Sequence, residues 1–276
     1  MIDLEKQSGL PITWDGKNKK ILFSEELVAE EPIIRTRQEM KSVLFEPDEE
    51  GPEELYCFYR GVAPVEEAQE ISERGLRYDI TILCPGTIGR EFIKTAGHYH
   101  SEKPGTGFTY PEVYEVLYGR AHFLLQRPQK DDLGEIEKVL LITAKPGDKV
   151  LLPPGFGHVT INPGEDYLIL SNWVAGACES VYKPMESRKG GGYFELYDEE
   201  GPVFLPNSQY DYLPSLRRCS VMPVPRFNIH TGLPIYRVLH KDPDSLSFLL
   251  HPEKYGPVFE EYLQSLLKEK STLSSD

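Results

Sequence analysis

The 276-residue chain is short of basic residues, of cysteine and of long apolar runs. Lys and Arg total 30 against 44 Asp and Glu, a formal net charge of −14. That balance argues against a nucleic-acid partner, whose phosphates demand a positive footprint, and against an anionic membrane surface. The four cysteines (Cys57, Cys84, Cys178 and Cys219) are scattered without C-x-x-C spacing, so buried free thiols are expected and no disulfide framework. No apolar run approaches the roughly 18 residues of a membrane-spanning helix. The opening Met1-Ile2-Asp3-Leu4-Glu5-Lys6 lacks the basic start and apolar stretch of a secretory signal. A soluble, cytoplasmic protein is the expectation. Proline and glycine, 23 each, fall below the share that marks low complexity, and 16 Tyr with 12 Phe supply apolar bulk for a core. The length allows one large domain or two smaller ones, able to fold without staples.

What is present reads as turn-rich and mainly β. Residues 24–54 are acidic and broken by Pro32, Pro47 and Pro52. Within them Thr36-Arg37-Gln38-Glu39 fits a capping box and predicts a short helix from Arg37 to Phe45. A second helix is predicted over Val65–Arg74, with Val65, Ala68 and Ile71 on one face and Gly75 past its end. From Arg77 short β-rich runs succeed one another: Tyr78–Cys84, Glu112–Tyr118, Ala121–Gln126, Ile136–Thr143, Lys149–Leu152, His158–Ile161 and Tyr167–Trp173. Turn signals such as Pro85-Gly86, Pro146-Gly147-Asp148 and Pro163-Gly164 separate them, the pattern of an antiparallel sandwich or barrel. After about Glu200 the chain is Pro-rich until an amphipathic segment, Val258–Leu267, and a frayed tail is expected beyond Lys268.

Three histidines stand out. His98 and His100 flank Tyr99, and on a strand residues i and i+2 share a face, so both imidazoles can reach one point. Glu112 opens the next strand, and His158 follows the rigid turn Pro153-Pro154-Gly155-Phe156-Gly157. Singly each is an ordinary residue. Together, three imidazoles and one carboxylate suit a first-row transition metal with positions open for substrate.

The same residues resemble the two cupin motifs. His98-x-His100, then Glu112, six residues and Gly119 make the first. Gly147, Pro153, Gly155, His158 and Asn162 meet every position of the second. Eleven residues separate His100 from Glu112, where most cupins have three or four. The delayed glutamate, with Thr95-x-Gly97-His98-Tyr99-His100 and Glu112-Val113-Tyr114, is similar to the cupin-type (archaeal-type) glucose-6-phosphate isomerases. Thr81-Ile82-Leu83-Cys84-Pro85-Gly86 and Gly89-Arg90-Glu91-Phe92 agree in order and spacing. Two features depart from that family: Glu179-Ser180-Val181-Tyr182 lacks the histidine of a usual His-x-Tyr, and Trp173 stands where a tyrosine is common.

The resemblance implies a fold, a site and a reaction. The fold is a cupin double-stranded β-helix, or jelly roll, over residues 55–198, with an N-terminal flanking segment (1–54) and a Pro-rich C-terminal extension (199–276). The metal ligands are His98, His100, Glu112 and His158. Phosphate recognition falls to Tyr56, Thr81, Thr95 and the Gly97 amide, with Tyr182 beside them and Tyr114 as an active-site tyrosine. The reaction is metal-dependent interconversion of glucose 6-phosphate and fructose 6-phosphate, serving glycolysis and gluconeogenesis, in a homodimer. Iron is the first expectation for the metal, with Mn, Ni, Co or Zn as alternatives. Glu112 is the candidate base, against a competing hydride shift between C1 and C2. The alternatives are another metal-dependent cupin enzyme such as a dioxygenase, or a non-catalytic sugar-binding cupin. An anionic substrate on an acidic chain needs local donors; Lys94, Arg90 and Lys103 lie near the histidine pair in sequence, and Lys183, Arg188 and Lys189 follow the strands.

Overall fold

The computed structural model describes residues 1–129 and 132–268; the tail expected beyond Lys268 lies outside them. Two antiparallel sheets face one another. The strands that build them are β1 (Ile33–Thr36), β2 (Glu54–Tyr59), β3 (Leu76–Leu83), β4 (Glu112–Tyr118), β5 (Ala121–Gln129), β6 (Asp132–Ala144), β7 (Lys149–Leu152), β8 (Gly157–Ile161) and β9 (Leu168–Ala175). A six-stranded sheet runs β7-β4-β9-β3-β2-β1, and β8-β5-β6 form the second. Arg217–Cys219 joins that second sheet as β10, parallel to β6. The fold is the expected mainly-β cupin jelly roll with short flanking helices.

All seven expected strands form, Glu112–Tyr118 and Lys149–Leu152 with the expected ends and the others with ends moved by at most four residues. Strands β1 and β2 were not expected, because Pro52 and the surrounding acids mask their short apolar runs. Register across the six-stranded sheet aligns side chains into rows. Glu112 opposes Val174 and Tyr114 opposes Asn172, while Val174 opposes Arg77 and Asn172 opposes Asp79. Because side chains alternate along a strand, this row-bearing face lines the barrel interior and Val113 and Glu115 point outward. The outward face is buried too, since the C-terminal extension covers it. Glu115 accepts the Ile235 amide at 2.6 Å, and the Trp173 indole donates to the Ile235 carbonyl at 2.8 Å.

The flanking helices differ in detail from expectation. The capping box at Thr36 is present, but the α-helix ends at Met40 and continues as a tight turn, Lys41–Val43. The Phe45 amide donates to Glu91 at 2.8 Å, so the chain leaves the helix there. Helix Val65–Glu73 forms with Gly75 left-handed at φ 74°. Ile71 is buried, whereas Val65 is 59% exposed, because it sits in the first turn beyond the packed face. The amphipathic segment is a helix over Gly256–Lys268 that buries Phe259, Tyr262, Leu263 and Leu266. No disulfide forms; Cys57, Cys84 and Cys178 are only half-buried and Cys219 is buried. Among the described residues no helix is long and apolar enough to cross a membrane.

Candidate metal centre and its pocket

The chain from Lys94 to His100 runs beside β8. His98 and His158 exchange both backbone hydrogen bonds, at 3.1 and 3.0 Å, and so stand directly opposite one another. Their rings are 4.4 Å apart between centroids. His100, two residues on, returns to the same face, with its ring 5.2 Å from His98 and 5.3 Å from His158. Glu112 arrives from the facing sheet, its Oε2 3.2 Å from His100 Nε2 and 3.8 Å from His158 Nε2. One donor atom from each of the four lies within 4.8 Å of the others.

Gly97 makes this approach possible. Its φ is 73°, and a Cβ there would fall 2.6 Å from both Met185 Sδ and Val159 Cγ2. Asn162, the last position of the second motif, ties the strand end down by donating to the carbonyls of Cys84 and Asp166 at 3.0 and 2.9 Å.

The donor chemistry fits one divalent ion. His100 Nδ1 lies 2.8 Å from the Tyr110 carbonyl, which can only accept; that nitrogen therefore carries the proton and Nε2 faces the cluster. Glu112 Oε2 is buried and has no hydrogen-bond partner among the described residues. Burial, then the neighbouring imidazoles, hold His98 and His158 well below the usual histidine range, which keeps both as neutral donors. His100 goes the other way: burial opposes its charge, but the Cys178 thiol and the Glu112 carboxylate beside it outweigh that and raise it.

Around the cluster is a pocket lined by Tyr56, Thr81, Thr95, Tyr114 and Tyr182, all expected site residues. Tyr114 Oη lies 3.3 Å from His158 Nε2. The Tyr56 hydroxyl accepts the Ala96 amide at 3.3 Å, and burial raises its pKa to about 12. Gly97 lies beneath the His98–His158 pair, outside the lining. The cations near the motifs in sequence turn elsewhere: Lys94 pairs with Glu91, Arg90 with Glu46, Lys103 with Glu253 and Arg188 with Asp211. Lys183 and Lys189 are exposed and absent from the lining. Besides the cluster itself, the charged groups that line the pocket are Arg60, Arg77 and Asp79, with Asn172 beside them. Alternation from Thr81 back to Asp79 and Arg77 is the signal that finds two of them.

Residues 34–213 match the profile of the family described as glucose-6-phosphate isomerase (GPI), more than half of the 276 residues. The chain belongs to the glucose-6-phosphate isomerase family. Among curated members, the glucose-6-phosphate isomerase of Pyrococcus abyssi is 39% identical over 110 residues, covering 40% of this chain and 52% of that protein. That of Thermococcus gammatolerans is 37% identical over 134 residues, covering 48% of this chain and 62% of that protein. This chain thus spans between half and two-thirds of the length of these isomerase relatives. Among solved structures, an oxalate oxidase in complex with glycolate aligns with TM-score 0.33 at 16% identity, covering 47% of this chain and 56% of that one. Within the isomerase family the shared region holds all four cluster residues, His98, His100, Glu112 and His158.

Proposed function

We propose that this protein interconverts glucose 6-phosphate and fructose 6-phosphate with one divalent transition metal held by His98, His100, Glu112 and His158. The observation that carries the reading is the convergence of these four donors inside a pocket lined by hydroxyls and guanidiniums. A bound ion supplies Lewis-acid polarisation of the substrate carbonyl. Tyr56, Thr81, Thr95 and Tyr182 hold the phosphate end, and hydroxyl donors suit a dianion on a chain whose lysines face away. Glu112 removes the C2 proton of the open-chain aldose. The C–H electron pair becomes the C1=C2 bond, and O1 takes the negative charge. The O2 proton then passes to O1 and the held proton returns to C1, which gives the ketose with all atoms accounted for. Tyr114, beside Glu112 and His158, orients the carboxylate. A polar, charged lining favours a sugar phosphate over an apolar dioxygenase substrate. Iron is the first candidate ion. Pairing of two copies along the outer strand β1, where Ile33 and Ile34 are 38% and 42% exposed, belongs to the same reading.

The test is reconstitution with Fe, Mn, Ni, Co or Zn, addition of fructose 6-phosphate, and continuous detection of glucose 6-phosphate. Turnover with at least one ion is expected, and none with any of them would sink the reading. Deuterium from solvent at the substrate carbon is expected in the product; its absence would replace the Glu112 proton transfer with a hydride shift.

A further inference from the structure

The pocket wall on β3 carries a charge pair that neither the motif spacing nor the phosphate-binding set accounts for. Arg77 Nε donates to both carboxylate oxygens of Asp79, at 3.0 and 2.9 Å. Asp79 is only 6% exposed and accepts the Gly61 amide at 3.2 Å as well. One edge of the guanidinium is therefore clamped. Its other two nitrogens, Nη1 and Nη2, meet no protein acceptor within hydrogen-bond distance among the described residues, and the side chain lines the pocket.

Register says where that free edge goes. Arg77 opposes Val174, and Val174 opposes Glu112 on the next strand. The row is Arg77–Val174–Glu112, with the two charged residues separated by two strand spacings, about 10 Å between backbones. An arginine side chain spans most of that distance, and Val174 between them lines the same pocket. A buried ion pair recovers its desolvation only when its remaining donors are used, and this one leaves two donors without a protein partner on a side chain that lines the same pocket as Glu112. Donors fixed in advance, where charge develops, stabilise a transition state without reorganisation.

Resting on the isomerase reading above, we infer that Arg77 is a further catalytic residue, whose two Nη groups bind the substrate oxygen that becomes negative as the proton moves to Glu112. Asp79 is its positioning residue. The bare alternative is that Arg77 only neutralises Asp79.

Two probes separate these outcomes by calorimetry on the metal-loaded protein. 6-Phosphogluconate carries a carboxylate at C1, whereas sorbitol 6-phosphate carries a hydroxyl there and the same phosphate. Arg77→Met is expected to weaken 6-phosphogluconate about 30-fold and sorbitol 6-phosphate less than about threefold. It should also lower kcat about 100-fold at nearly constant KM. Arg77→Lys keeps the charge opposite Asp79 and covers the case in which Arg77→Met does not fold. A single ammonium cannot present two parallel donors, so a loss of about tenfold for 6-phosphogluconate alone is expected. Equal losses for both probes, or no loss for either, would assign Arg77 a structural role and overturn the inference. Wild-type protein that binds neither probe would instead overturn the sugar-phosphate reading, and this inference with it.

Discussion

Tyr236 tests whether the C-terminal extension can be separated from the barrel. The ring is fully buried, as are Tyr78 and Trp173 on the outer face of the barrel sheet. It meets Tyr78 edge-on at 5.0 Å and stacks on Trp173 at 5.5 Å. Its hydroxyl donates to Glu67 at 2.6 Å, which links the extension to the helix Val65–Glu73 as well. Truncating a large buried aromatic to alanine costs about 3–5 kcal/mol, the two ring contacts included. Loss of the hydroxyl bond places Tyr236→Ala at the upper end, about 4–5 kcal/mol, against a total stability of about 5–15 kcal/mol. For a chain of this size that is roughly a 10 °C fall in the unfolding midpoint. Tyr236→Phe keeps both ring contacts and is expected to lose about 1 kcal/mol. Urea titration of the three proteins reads these differences as shifts in midpoint at constant slope. Trp173 lies between Asn172 and Val174, which face the pocket, so Tyr236→Ala should also weaken 6-phosphogluconate binding. A midpoint unchanged within about 1 kcal/mol would refute the reasoning. So would a fragment ending at Leu196 that unfolds cooperatively at the full-length temperature, and residues 199–268 would then be an accessory layer.

The remaining expectations concern the site and its surroundings. His98→Ala or His158→Ala removes one of four donors from the cluster, and metal content by mass spectrometry is expected to fall from about one ion per chain to below about one-tenth. A variant that kept both its metal and its rate would remove that residue from the site. Gly97→Ala forces a side chain into a left-handed backbone against Met185 and Val159, and should cost about 2 kcal/mol or more by thermal unfolding, together with metal affinity. Burial, with the nearby Cys84 thiol adding to it, raises Cys57 to about 11. The thiolate is the reactive form, so alkylation of Cys57 followed by peptide mass spectrometry should climb about tenfold per pH unit from 8 to 10. A plateau near pH 9 would show a thiol of ordinary acidity.

The convergence of His98, His100, Glu112 and His158 was legible because each member carries a local signal. An i, i+2 histidine pair can share a face only on a strand, and the Pro-Gly turn before His158 can aim it in only a few directions. Alternation likewise separated Glu112 and Tyr114 from Glu115, and Glu115 indeed points outward, to Lys149 at 2.8 Å and to the Ile235 amide. Contacts between segments distant in sequence carry no such signal. The pairing of Trp173 with Ile235 spans 62 residues, and no local pattern in the Pro-rich stretch marks Ile235 as its partner. Strand β1 was hidden for a related reason: its exposed Ile33 and Ile34 have no alternation, and only pairing with β2 defines it.

Charge shows the same limit from another side. Proximity in sequence nominated six cations for an anionic ligand, yet proximity along a chain is a poor guide when strands send alternate residues to opposite faces. Lys94 is two residues from Ala96 in the site loop, but its ammonium is buried against Glu91 and the Val43 carbonyl. Arg77 is 21 residues from His98, yet register brings it into the same pocket. The net charge of −14 and an anionic ligand are therefore compatible. At about 0.15 M salt a surface carboxylate is screened within roughly 8 Å, whereas a guanidinium fixed in the pocket acts at contact distance. What decides anion binding is which few cations the register turns inward, and on this chain those are arginines on β3 and at the end of β2.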